Sequence, residues 1–108
     1  GALPLWLAPE QARVVPVSEK AAAWAEEVTT ACRAAGLRAQ ADLQNEKLNY
    51  KVRAAQLMKV PVIAVVGERE AEARQVSPRR GGAVQEAVPL ENFVAQLQAE
   101  AALPGGAS

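Results

Sequence analysis

The run Asp42-Leu43-Gln44-Asn45-Glu46-Lys47-Leu48-Asn49-Tyr50-Lys51-Val52-Arg53 and on to Lys59-Val60-Pro61 holds the densest set of ligand-handling side chains in the sequence. Between Gln44 and Lys59 stand Lys47, Lys51, Arg53 and Lys59, opposed by Glu46 alone. On a helix, Lys47 and Lys51 are one turn apart and share a side. Cations of this kind attract phosphates, while an amide and an aromatic ring beside them can read or stack bases. The run lies where a strand gives way to a helix, and anions and ligands gather at such places in α/β sheets. By composition alone two readings stand: an ordinary solvated helix face, or a nucleic-acid site.

Other candidates carry less. Cys32 falls on the apolar stripe of a helix and reads as packing rather than a reactive thiol. Asp42 and Glu46 form a carboxylate pair near a strand end, where capping and solvated roles are commoner than acid–base work. Gly67 is followed by Glu68 and Glu70, so no glycine-rich phosphate cradle follows any strand. With no histidine in the sequence, a Ser-His-Asp triad and a His-ligated metal are excluded. No enzyme active site is legible in these residues.

These side chains need elements to hold them. Ala12 to Val17 reads as a β-branched strand, with Ser18 as a helix N-cap. Glu19 to Ala35 has helical periodicity, with Trp24, Val28, Ala31, Cys32 and Ala35 on one stripe and Gly36 just past its end. Leu37 to Asp42 alternates with period two and predicts a second strand. Asn45 to about Met58 predicts a second helix, opened by Asn45, with Leu48, Val52 and Ala55 inward. Val60 to Val66 is an unbroken apolar run, the pattern of a fully buried central strand, with Pro61 at its start. Glu68 to Glu72 reads as a charged turn or short helix. Gln75 to Ser77 and Gly82 to Val88 are weaker strands about a turn at Arg79–Gly82. Leu90 to Leu103 is an amphipathic helix with Leu90, Phe93, Val94, Leu97 and Ala101 on one face, stopped by Pro104. The order β-α-β-α-β-(β-β)-α predicts an α/β layer, parallel at its centre and mixed at one side.

The chain has 108 residues, 12 basic and 12 acidic, with 50% hydrophobic, 22% charged and 4% aromatic content. That is one globular domain with a core of Val, Leu and Ala. The single cysteine fits a reducing compartment. No run reaches the roughly 18 apolar residues of a membrane-crossing helix, and no signal peptide is evident. Gly1 to Pro9 reads as a segment cut from something longer, and 104–108 as a flexible tail after a domain spanning 1–103.

Several of these blocks, taken together, resemble the anticodon-binding domain of class II aminoacyl-tRNA synthetases, specifically the threonyl type. They are Leu7-Ala8-Pro9, Gln11, Arg13-Val14, Pro16-Val17, Ala34 to Arg38, Asp42 to Leu48, Tyr50 to Arg53, Lys59-Val60-Pro61 and Val65 to Glu70. The resemblance runs from about Leu5 to Leu97 and implies a three-layer α/β fold, with a mixed five-stranded sheet flanked by three helices. It implies that the chain binds the anticodon loop of a threonine tRNA, not DNA or a membrane, in the cytoplasm. It implies no bond-making by the chain itself. ATP and zinc would belong to a catalytic domain of the parent ligase, absent here, through which the parent family dimerises, leaving this domain monomeric. Carried over by position, Asn45 and Arg53 fall near the bases, with Lys59, Glu70 and Arg79 around them and Lys47 and Lys51 as phosphate contacts. Asn49, Gln44 and Pro78 depart from the family pattern, and Pro78 is expected to disturb a central strand. A protein-interaction module reusing the fold, and a small enzyme subunit completed by a partner, are the alternatives.

Overall fold

Val62–Val66 (β3) is the axis of the molecule, and every one of its residues is buried. A strand that alternates its side chains between two faces can be buried throughout only if both faces are covered. In the computed structural model, which describes residues 4–80 and 83–102, they are. Ala12–Pro16 (β1) runs parallel to β3 on one side, and Ala39–Ala41 (β2) runs parallel to β1. Gln75–Arg80 (β4) is antiparallel to β3 on the other side. Ala83–Val84 (β5) and Val88–Pro89 (β6) both pair antiparallel with β4. The continuous order is β2-β1-β3-β4-β5, five strands of a mixed sheet as the resemblance implied, with β6 as a sixth off β4.

The alternation sorts the core into two parts. Val62, Ala64 and Val66 of β3, with Ala12 and Val14 of β1, face Ala22–Ala34 (α1) and Leu90–Ala101 (α4). Trp24, Val28, Cys32, Phe93 and Leu97 close that side. Ile63, Val65 and Val15 face the other way, against Val52 and Ala55 of Leu48–Leu57 (α2). A short helix, Glu68–Ala73 (α3), follows β3, so four helices stand where the resemblance implied three.

The long helix expected over 19–35 begins as a separate 3₁₀ turn at Glu19–Ala21, and Ser18 makes no side-chain cap bond to it. Gly36 does sit past the end of α1, at φ +87°. Its N–H donates to Arg33 and that of Leu37 to Cys32, the crossed pair of a Schellman cap. That cap uses Leu37, so β2 is only three residues long rather than the expected 37–42. α2 starts at Leu48 with Lys47 as its N-cap, so Asn45 does not open the helix; it lies in the preceding loop. α2 also ends in crossed bonds, Lys59 N–H to Gln56 and Val60 N–H to Ala55, with Lys59 at φ +61°.

Pro78 sits inside β4 and the strand survives it. In an antiparallel ladder a residue's N–H and C=O point to the same neighbour. The Pro78 carbonyl accepts from the Gln85 N–H at 2.9 Å, so the missing donor faces residues 85–87, between β5 and β6, where no strand needs it. The weak strand expected over 82–88 is correspondingly two short pieces. The expected turn glycines 81 and 82 and the expected tail 104–108 lie outside the described residues.

The opening turn Leu5–Leu7 is fastened from two sides. Gln11, 2% exposed, donates to the Leu5 carbonyl at 2.9 Å and accepts from the Arg38 N–H at 2.8 Å. The Arg38 guanidinium donates to the carbonyls of Ala8, at 2.8 and 3.0 Å, and Trp6, at 3.1 Å.

Candidate nucleic-acid interface

The parallel strands β1, β2 and β3 all end at one rim of the sheet. There, a cleft of about 310 Å³ opens between the β1–α1 turn and the loop after β2. Pro16, Ser18 and Glu19 line one wall, and Leu43, Gln44, Asn45 and Glu46 the other, with Lys51 beneath. The loop is shaped by Asp42, whose carboxylate accepts from the Gln44 N–H at 3.1 Å.

Lys51 is not the solvated lysine its charge suggests. It is 4% exposed, and its Nζ donates to the Asp42 carbonyl at 3.2 Å. It therefore does not share an open face with Lys47, which is exposed at the helix N-cap. The cause is helical geometry: residue 51 belongs to the inward stripe of Leu48, Val52 and Ala55. Carrying an ammonium there places its remaining donors at the floor of the cleft, beside Asn45.

Arg53 lies on the outward side of α2 and is exposed. It is a little under one and a half turns from the helix start, on the same flank of the sheet as the Asn45 loop. Lys59 is exposed beyond the other end of α2, close to where β3 begins. Arg79 pairs with Ile63, near that same beginning. Cross-strand partners point to one side, so Arg79 faces the α2 flank with Ile63. Its Nε is buried with no hydrogen-bond partner among the described residues.

Glu70 stands in the first turn of α3, after the end of β3. Its carboxylate turns back to accept from the Gly67 N–H at 2.6 Å, an ordinary capping role. The structure thus brings Asn45, Lys47 and Lys51 together at the rim where Glu70 also lies. Lys59 and Arg79 lie toward the opposite rim, with Arg53 between on α2. The local excess of positive charge along 44–59 is spread across one flank rather than gathered in one patch.

Sequence reasoning missed Arg13. It occupies the same row as Ile63 and Arg79 on the α2 flank. Its guanidinium forms a paired contact with Glu10, both bonds at 2.7 Å, and reaches Met58 Sδ at 3.4 Å. The bond to Glu10 raises its pKa above the ordinary arginine value. Among the described residues no group of three His, Cys, Asp or Glu side chains could hold a metal ion, and no helix is long and apolar enough to cross a membrane.

A family model described as "Anticodon binding domain" matches residues 11–100. The chain belongs to that family. It is 51% identical over 105 residues to a threonine–tRNA ligase of Anaeromyxobacter dehalogenans, and 53% identical over 105 residues to one of Paramagnetospirillum magneticum. In both cases the match covers 96% of this chain and 16% of the relative, so the chain spans about a sixth of the length of the ligases it matches. Among solved structures it is similar to the RNA binding domain of threonyl-tRNA synthetase from Cryptosporidium parvum, with TM-score 0.88 and 30% identity. That match covers 93% of this chain and 26% of the other. A prolyl-tRNA synthetase from the same organism, at TM-score 0.74 and 22% identity, shares the fold.

Proposed function

We propose that this chain reads the anticodon loop of a threonine tRNA on behalf of a threonine–tRNA ligase, in the cytoplasm. The ATP-dependent joining of threonine to the tRNA would be carried out by another part of that ligase. The observation that carries the proposal is one continuous flank on a chain of this family. It runs from the Asn45–Lys51 cleft along α2 to Lys59 and Arg79, with Arg53 midway.

A single-stranded loop offers unstacked bases whose edges can be reached by side chains. Asn45, at the cleft wall, presents both a donor and an acceptor to a base edge. Arg53 and Arg79 can each make a forked contact with a guanine or a phosphate. Lys47 and Lys59 attract phosphates without regard to sequence, and Lys51 offers its spare donors from below. Glu70 can accept from the N–H groups of a guanine once its carboxylate leaves the Gly67 N–H.

Titration with a threonine tRNA anticodon stem–loop, followed by amide chemical shifts, tests this. Shifts are expected at Asn45, Arg53 and Glu70, and not with scrambled loops. Arg53→Ala should cost about 1–3 kcal/mol of specific binding. Equal, weak shifts with every loop, vanishing in moderate salt, would reduce the flank to generic electrostatics.

A further inference from the structure

The four helices divide the charge unevenly. α1 carries Glu26 and Glu27 against Arg33, α3 carries Glu68, Glu70 and Glu72 against Arg69, and α4 carries Glu91 and Glu100 with no base. α2 carries Lys51 and Arg53 and no carboxylate. Exposed lysines stand at both of its ends, Lys47 as the N-cap and Lys59 beyond the C-cap.

Aromatic residues are divided just as unevenly. Trp24 and Phe93 are buried, and Trp6 is half-buried. Trp24 is further engaged, its indole N–H donating to the Gln75 carbonyl at 2.9 Å and its ring lying 4.6 Å from the Arg74 guanidinium carbon. Tyr50 alone among the described aromatics is exposed, at 59%, on the outward side of α2. It is three residues from Arg53, the spacing at which helical side chains are neighbours. Leu57, 75% exposed, continues the same side one turn beyond Arg53.

A flat ring beside a planar guanidinium, on a helix free of carboxylates and bracketed by lysines, suits a polyanion with aromatic faces of its own. We infer that the outer side of α2 is a base-stacking platform. Tyr50 holds one unpaired nucleobase of the loop against its ring, and Arg53 takes the adjoining phosphate. This rests on the anticodon-loop reading and adds to it a residue that binds by stacking rather than by hydrogen-bonded recognition. Lys47, the exposed N-cap of α2, stands two residues from Asn45 and three from Tyr50, so one strand of RNA can reach both. Stacking tolerates any base, so the platform would add affinity and loop posture more than sequence choice.

Tyr50 is the only tyrosine in the chain, which makes its ring resonances a direct probe. With the 108-residue chain and the threonine anticodon stem–loop, those resonances should move upfield on titration. Tyr50→Ala should raise Kd about tenfold, while Tyr50→Phe should stay within about twofold. Alanine is a good helix former at this exposed position, and an unchanged amide spectrum elsewhere would establish that the variant folds. Equal binding by Tyr50→Ala with unmoved ring resonances would overturn the platform, leave the anticodon reading intact and free the face for a protein partner. If Tyr50→Phe lost as much as Tyr50→Ala, a hydroxyl contact would replace stacking. Failure of the unaltered chain to bind the stem–loop at all would overturn both.

Discussion

Cys32 is fully buried on the inward side of α1, and desolvation pushes its thiol up to about 11. The unfolded thiol ionises near its ordinary value of 9.0, so above that pH the unfolded chain releases a proton that the folded chain retains. The associated stability is whole below about pH 9 and is lost as pH rises toward and through about 11, by roughly 3 kcal/mol in all. Urea midpoints of the chain and of Cys32→Ala, measured side by side, should therefore converge through that window. A constant gap would contradict the desolvation. Cys32 was legible because an apolar stripe at helical spacing specifies burial. Lys51 obeys the same spacing, three residues after Leu48 and one before Val52, yet its charge pulls the reading toward solvent. Periodicity decided where the side chain went, and the Asp42 carbonyl supplied the partner that made burial tolerable.

The ends of elements were read less well than their middles. β3 was evident because no residue of Val62–Val66 is polar, and α4 because its apolar residues recur at helical intervals. Two helix ends show why boundaries resisted. α1 and α2 close with the same crossed hydrogen bonds, but one has Gly36 in the left-handed residue and the other Lys59. Only the first announces itself in sequence. The pair gives a prediction of opposite signs. Gly36→Ala meets no atom within 4 Å, so its cost is that of the backbone alone, about 1 kcal/mol. Lys59→Gly relieves the corresponding strain and should stabilise by roughly 0.5–1 kcal/mol. Chemical denaturation of the two variants checks both. If Lys59 lies on the RNA path, its glycine variant should be sturdier and bind the stem–loop less tightly. Pro78 misled for a related reason: its effect depends on which neighbour the absent N–H faces, and that neighbour is a gap between two short strands. Neither fact is local to the residue.

At the scale of the molecule, equal numbers of acids and bases conceal a division by element. The acidic helices lie elsewhere, and the α2 flank alone presents Lys47, Arg53 and Lys59 to solvent. Release of counterions by three such cations on single-stranded RNA gives a slope of about −2 for log affinity against log salt concentration. Anisotropy titrations of the stem–loop at several salt concentrations measure it, and a slope near zero would remove the cations from the contact. No count over the whole chain reveals this, because it depends on which helix each charge rides. The turn at Leu5–Leu7 bears on the same scale. With the carbonyls of Leu5, Trp6 and Ala8 clasped by Gln11 and Arg38, that lead-in has no swivel. A fluorophore carried on the turn itself, at the half-exposed Leu7, would tumble at the rate of the whole body, because the side chains of Gln11 and Arg38 hold the backbone on either side of it.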